Sequence, residues 1–285
     1  MPADYKAEIV ACFGQPVAEN PTGVMQEAGF AAAGLNWRYL TIEVAPGGLK
    51  DAVAGARAMG WQGFNLTIPH KVAVMEHLDA IAPEARMIGA VNTVRRDGDR
   101  FIGENTDGKG FLRAVRQDAG LDPNGKRIVL LGAGGAARAI AMELGLAGAS
   151  EIVVVNRDPA RGQPMTDDLK RNIPGSVRLE PWSGTFVVPQ DVDILVNATS
   201  IGLYPDIGAK PNIDLSKAAD TLLLCDAVFN PPETQLLKAC RERGLRVLDG
   251  LSMLVYQGVI GFELWTGRSA PEAVMKQALR EALQV

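Results

Sequence analysis

The chain has 285 residues, 47% hydrophobic and 22% charged, with 33 acidic against 29 basic side chains for a net charge of −4. That length suits two domains, each burying its own core, and the absence of a long basic run argues against the phosphate-neutralising stripe of a nucleic-acid binder. Cys12, Cys225 and Cys240 are far apart, and His70 and His77 are the only histidines, which argues against a disulfide framework, a metal site and a Ser-His-Asp triad.

From the start of the chain, "EIVACFG" reads as a strand, "TGVMQEAGFAAAGL" as a helix, "WRYLTIEV" as a strand, "GGLKDAVAGARAMG" as a helix and "WQGFNLT" as a strand. This βαβαβ pattern implies parallel strands with right-handed crossovers. "NLTIPHK" runs into a helix whose first turn is set by Pro69. "AVNTVRRDGDRFIGENTDG" then reads as two strands around a turn at Asp97-Gly98, which makes the sheet mixed. A helix in "KGFLRAVRQDAG" connects to a second α/β unit. Its strands are "RIVLLG", "EIVVVN", "DILVNAT" and "LLLCDAVF", with a helix at "GAARAIAMELGLAG". Two apolar-faced helices, "LSMLVYQGVIGFELWTG" and "PEAVMKQALREAL", close the chain and are expected to pack back on the first domain. The expected division is 1–107 for substrate binding and catalysis, 108–249 for a dinucleotide, and 250–285 for helices completing the first domain. "MPADYKAEIV" has no signal-peptide pattern, and no stretch nears the roughly 20 apolar residues of a membrane span. With unpaired cysteines, the expected setting is the cytoplasm.

"RIVLLGAGGAARAI" places Gly132, Ala133, Gly134, Gly135, Ala136 and Ala137 between a strand and a helix. This is G-x-G-x-x-A in the context of a Rossmann-type NAD(P) site: Gly132 for the tight turn, Gly134 for approach to the pyrophosphate, Ala137 for helix–strand packing. The next strand ends at Asn156, where an NAD site usually offers a carboxylate, and Arg157 and Arg161 suit a 2′-phosphate. Asp158 pulls the other way. NADP is the expected cofactor and NAD the alternative, with Thr199 of "VNATSIGL" completing the candidate cofactor set.

Reduction of a carbonyl by a nicotinamide needs a proton donor. Lys71 lies where a helix N-terminus disfavours its charged form, which suits proton transfer. Asp107 is the carboxylate expected to orient it, in a site at strand C-terminal ends between the domains. A plain solvated lysine and a helix-capping aspartate are the competing readings.

"NLTIPHK", "GAVNTV", "ENTDGKGF", "LLGAGGAARA", "VNRDPAR", "VNATSIGL", "DAVFNPPETQLL" and "GLSMLVYQGVIGFELWTG", in this order over nearly the whole chain, resemble the shikimate dehydrogenase family. The resemblance implies an NAD(P)-dependent oxidoreductase interconverting shikimate and 3-dehydroshikimate or a close analogue, with Lys71 and Asp107 as the catalytic pair. It also implies that Asn65, Thr67, Asn92 and Gln257 line the substrate pocket. One loop departs from the pattern. Where the family reads G-x-P and then S-x-S-P, with two serines holding the substrate carboxylate, this chain reads "GQPVAENPTG", with Asn20 and Thr22 at the serine positions and Gly23 at the proline. Asn and Thr still donate hydrogen bonds, though Thr22 also suits a helix cap and Asn20-Pro21 a turn. The alternatives are therefore a dehydrogenase for quinate or an aminated analogue and, in another class, a catalytically silent NAD(P)- or metabolite-binding regulator. The expected partner is a small ring hydroxy acid, and the expected working unit a monomer or homodimer.

Overall fold

The computed structural model describes residues 5–284 and forms two compact units. One comprises the residues up to Thr106 and those from Gln257 on; the other is Asp107–Tyr256.

The first unit opens with β1 (Glu8–Gly14), α1 (Thr22–Ala32), β2 (Trp37–Glu43), α2 (Leu49–Ala58) and β3 (Gly63–Leu66). The single-turn α3 (His70–Ala73), β4 (Ala80–Ile81), α4 (Pro83–Ile88), β5 (Thr93–Asp97) and β6 (Arg100–Glu104) follow. Its sheet has the order β2-β1-β3-β5-β6-β4. The β1, β2 and β3 strands are mutually parallel, whereas β5 runs antiparallel to both β3 and β6. The sheet is mixed because the β5–β6 connection is a tight hairpin. Asp97 pairs with Arg100, so the central turn residues are Gly98 and Asp99, one position later than the expected Asp97-Gly98, and Gly98 takes the required positive φ of 60°.

Strand alternation separates two faces of this sheet. Ala11, Phe13, Phe64, Leu66, Val94 and Phe101 belong to an apolar core closed by Leu49 and Val53 of α2. Phe13 stacks on Phe64 at 4.8 Å between ring centroids, and Phe64 meets Phe101 edge-on at 5.3 Å. The opposite face includes Cys12, Asn65 and Thr93, which are register partners across β1, β3 and β5. A polar row therefore crosses the sheet between apolar neighbours.

The second unit contains α5 (Asp107–Gln117), β7 (Arg127–Leu131), α6 (Gly135–Leu146), β8 (Glu151–Asn156), α7 (Pro159–Asn172) and β9 (Ser176–Pro181). Next come β10 (Phe186–Val187), β11 (Ile194–Asn197), β12 (Ile213–Asp214), β13 (Leu223–Asp226), α8 (Gln235–Glu242) and β14 (Arg246–Leu248). Six of its strands form an all-parallel sheet in the order β14-β13-β11-β7-β8-β9, and β10 pairs with β12 apart from it. The central strands are buried along their length and read as continuous apolar runs, as a sheet covered on both faces requires. Gly108 makes α5 and α6 pack closely, because a Cβ there would overlap the backbone carbonyl of Ala139.

The chain ends in α9 (Gly250–Thr266) and α10 (Glu272–Leu283). The start of α9 belongs to the second unit, where Ser252 Oγ and Tyr256 OH donate to Asp118 at 2.7 and 2.8 Å. Its remainder and α10 complete the first unit: Phe262 stacks on Phe30 of α1 at 5.4 Å, and Trp265 Nε1 donates to Val94 O at 2.9 Å. Burying each such ring contributes about 1.5–3 kcal/mol. No helix among the described residues is long and apolar enough to cross a membrane.

Candidate functional site

In the first unit the polar row across the sheet joins the side chains of Asn20, Asn65 and Asn92 among the expected substrate ligands. Asn20 follows β1, and its Oδ1 accepts the Thr22 backbone N–H at 3.0 Å, an Asx turn that leads into α1. Thr22 is therefore the first helical residue rather than a side-chain cap, and it is buried at 4% exposure. The Asn20 amide donates to Cys12 Sγ at 3.6 Å. Cys12 in turn interacts with the Tyr39 hydroxyl. That hydroxyl donates to Asn65 Oδ1 at 2.7 Å, and Asn65 Nδ2 donates to Thr93 Oγ1 at 2.9 Å. Thr93 Oγ1 lies 3.0 Å from Thr106 Oγ1, and Asn92 Nδ2 donates to Thr106 Oγ1 at 3.0 Å. Thr106 N–H donates to Asn92 Oδ1 at 2.7 Å. Asn20, Asn65 and Asn92 thus belong to one connected network, joined through Cys12, Tyr39, Thr93 and Thr106.

Burial pushes the Cys12 thiol up to about 11, against the opposing hydrogen bond from Tyr39 and the nearby charge of Lys71. Burial likewise raises Tyr39 well above the ordinary phenol range, with Cys12 adding to the effect. Both groups are neutral polar elements of the row at neutral pH, and Lys71 is the charge that acts on it.

Lys71 sits in α3, but Pro69 precedes that helix instead of opening it, with φ −99°. His70 N–H bonds Thr67 O at 2.9 Å and closes a turn before the helix begins. The four residues of α3 run directly into a 3-10 turn at Val74–His77, so the helical run behind Lys71 is short and its macrodipole weaker than a long helix would supply. Thr67 is held by its N–H to Phe13 O at 3.0 Å, and its methyl occupies the space that a Cβ on Gly14 would need. Gln257 is 7% exposed on α9, next to Gly258, whose carbonyl accepts Gln26 Nε2 at 2.8 Å.

In the second unit Asp107 opens α5 and is half-buried. The glycine-rich loop leaves the C-terminal end of β7. Gly132 has φ +104°, and a Cβ there would come 3.0 Å from Ala198 O and 3.1 Å from Thr199 Cγ2. The positive φ calls for glycine, and the close approach of Ala198 and Thr199 leaves little room for a side chain. Gly134 and Gly135 face open space, with nothing within 4 Å of a Cβ at either, so the backbone at the start of α6 is open to a ligand. Ala133 is half-buried and Ala136 exposed on this loop, while Ala137 is fully buried. A cradle of bare backbone at the N-terminus of a twelve-residue helix fits a pyrophosphate.

Gly132 N–H donates to Val155 O at 2.8 Å, which places the end of β8 beside the loop. There Asn156 Nδ2 donates to Asp158 O at 2.7 Å, and Asp158 Oδ1 accepts Ala160 N–H at 2.9 Å, capping α7. Arg157 and Arg161 are exposed. Thr199 Oγ1 donates to Asn197 Oδ1 at 2.7 Å and accepts Ile201 N–H at 3.1 Å. Asn197, Asp226 and Thr234, which support this loop, escaped the sequence reading.

Residues 12–94 match the shikimate dehydrogenase substrate binding domain, 114–204 match shikimate / quinate 5-dehydrogenase and 250–280 match the shikimate 5'-dehydrogenase C-terminal domain. Shikimate dehydrogenase (NADP(+)) of Methanopyrus kandleri is 42% identical over 283 residues, 99% of this chain and 98% of the relative. The chain belongs to the shikimate dehydrogenase family. Among family structures, shikimate 5-dehydrogenase from Listeria monocytogenes, in complex with shikimate and NAD, is 31% identical with a TM-score of 0.90, covering 98% of each chain. The ligand-free 5-ketofructose reductase of Gluconobacter sp. strain CHM43 is 47% identical with a TM-score of 0.94, over 98% of this chain and all of that one. The family's two-domain α/β architecture with a Rossmann-type unit is the fold described above.

Proposed function

We propose that the protein is an NADP-dependent oxidoreductase interconverting shikimate and 3-dehydroshikimate or a close analogue. The observation that carries this reading is the hydrogen-bonded row from Asn20 to Asn92, a set of amides and hydroxyls suited to ring hydroxyl groups, with the Lys71 charge acting on it. Bound NADP would exchange a hydride with the carbon bearing the reacting oxygen. Lys71 gives a proton to that oxygen during reduction and takes it back during oxidation, and Asp107 is the second member of the catalytic pair that the family resemblance implies. Asn65, Thr67, Asn92 and Gln257 hold the remaining polar groups of the substrate. Gly132, Ala133, Gly134, Gly135 and Ala136 supply the backbone cradle for the pyrophosphate, with Thr199 beside it. Arg157 and Arg161, exposed next to Asn156, would meet the 2′-phosphate of a bound NADP. Asp158 spends its carboxylate on the α7 cap, which favours NADP over NAD at this corner. In this reading the first unit holds the substrate and the second the cofactor, with Asp107, expected in the first domain, at the start of the second unit. The working unit is a cytoplasmic monomer or homodimer, which sedimentation would determine.

A second reading concerns the substrate. Asn20 Oδ1 is committed to Thr22 N–H and its amide faces Cys12, so the loop offers less to a carboxylate than two serine hydroxyls do. The 47% identity to a 5-ketofructose reductase points the same way, toward an uncharged polyhydroxy ketone. Following NADPH absorbance with 3-dehydroshikimate, 3-dehydroquinate and 5-ketofructose separates the readings. The first expects the highest kcat/KM on 3-dehydroshikimate. A kcat/KM on 5-ketofructose exceeding it by tenfold, moving back toward the acid in Asn20→Ser/Thr22→Ser, would establish the second.

A further inference from the structure

Asp226 is 1% exposed, and its carboxylate takes part in neither the substrate row nor the cofactor cradle. It ends β13, beside Asn197 at the end of β11, which in turn pairs with Leu131 at the end of β7. The three positions are adjacent at the C-terminal edge of a parallel sheet, where ligands of such folds bind. Asp226 Oδ1 accepts Asn197 Nδ2 at 2.9 Å and Val228 N–H at 3.0 Å, and Oδ2 accepts Thr234 Oγ1 at 2.7 Å. All three donors are neutral. Burial pushes the carboxyl above its usual range, and the three hydrogen bonds pull it back. A buried carboxylate without a cation is poor value for stability alone.

What the carboxylate does achieve is directional. Because Asn197 Nδ2 donates to Asp226, Asn197 Oδ1 is turned toward the following loop, where it accepts both Thr199 N–H at 3.2 Å and Thr199 Oγ1 at 2.7 Å. Thr199 and Ala198 are also the groups that crowd Gly132 of the cofactor cradle. We propose that Asp226 is a positioning residue for cofactor binding, fixing the amide orientation of Asn197 and through it the Thr199 loop against the glycine-rich turn. The inference rests on the cofactor assignment above. Asp226 touches no reacting atom. Its loss leaves the Asn197 amide held on that side only by the longer bond from Nδ2 to Ile201 O at 3.4 Å, so the amide can rotate and present a donor to Thr199 N–H, and the loop leaves its position.

NADPH binding to the purified full chain, measured by calorimetry, tests this alongside KM and kcat. Asp226→Ala is expected to raise the NADPH Kd and KM about tenfold, the size of one lost charge-assisted hydrogen bond, while kcat at saturation falls less. Asp226→Asn keeps one oxygen for Asn197 and Val228 and turns its amide to Thr234 Oγ1, so it should bind NADPH nearly as wild type does. Adding Thr199→Val to Asp226→Ala should cost little more, because the two act in series. Asn197→Ala breaks the same link and serves if Asp226→Ala does not fold. An unchanged NADPH Kd in folded Asp226→Ala or Asn197→Ala would overturn the positioning role and leave the cofactor assignment standing. A wild-type chain that does not bind NADPH would overturn both.

Discussion

Lys71 is the residue on which the proposed chemistry depends most. Its ammonium matters as negative charge develops on the reacting oxygen, more than in the ground state. Lys71→Ala should lower kcat about 10²–10⁴-fold, with KM for the carbonyl substrate changed much less. Steady-state kinetics on the folded variant decides it, and near-normal kcat would reduce Lys71 to a solvated side chain. At the cofactor corner, Arg157→Ala should raise KM for NADP about tenfold and leave NAD nearly unchanged, the signature of a lost contact to the 2′-phosphate. Asp158→Ala should behave differently. Its carboxylate caps α7 through Ala160 N–H, so the expected effect is about 1 kcal/mol of stability measured by denaturant unfolding. A switch of cofactor preference in Asp158→Ala would make Asp158 a ribose ligand instead. The row residues of the first unit escaped the sequence reading for a tertiary reason. Cys12, Tyr39 and Thr93 look like ordinary strand residues; the register that sets Cys12 opposite Asn65 and Asn65 opposite Thr93 brings two of them into the row, and Tyr39 joins through its hydroxyl bond to Asn65.

At the level of elements, period and punctuation made the long pieces legible. The β7 run, its glycine turn and α6 follow directly from "RIVLLGAGGAARAI", since a continuous apolar strand and a small-residue helix start need no tertiary context. The α7 helix was not read, because Pro164 stands inside it and its sequence is mostly polar; the Asp158 cap and Pro159 at its first turn supply the start signal. The helix read from Pro69 begins at His70 and is a single α-turn continued by the 3-10 turn Val74–His77, so the dipole behind Lys71 is a short one. The C-terminal helices show where packing dominates. Phe262 of α9 is fully buried against Phe30, and Gly258 gives Met25 the space that a Cβ would fill. Phe262→Ala should therefore destabilise the fold by about 3–5 kcal/mol, read from the denaturant midpoint. A loss below about 1 kcal/mol would mean that α9 contributes little to holding α1.

For the whole molecule, two sheets of different construction present two kinds of surface. The mixed sheet of the first unit offers side-chain amides and hydroxyls in a row, whereas the parallel sheet of the second offers bare backbone at a glycine turn. The first kind suits the hydroxyl groups of a small substrate and the second suits phosphates. The mixed first sheet and the glycine turn of the second unit were legible in the sequence pattern, but the polar row and the bonds of Asn20, which bear on substrate choice, needed the structure. The most direct test of the account is NADPH consumption, followed at the nicotinamide absorbance band, by wild type and Lys71→Ala with a panel of carboxylated and uncharged polyhydroxy ketones. The account predicts turnover of at least one panel member by wild type, faster with NADPH than with NADH, and near-complete loss in Lys71→Ala. A wild-type protein that binds NADPH but turns over no member of the panel would contradict it and favour a catalytically silent regulator.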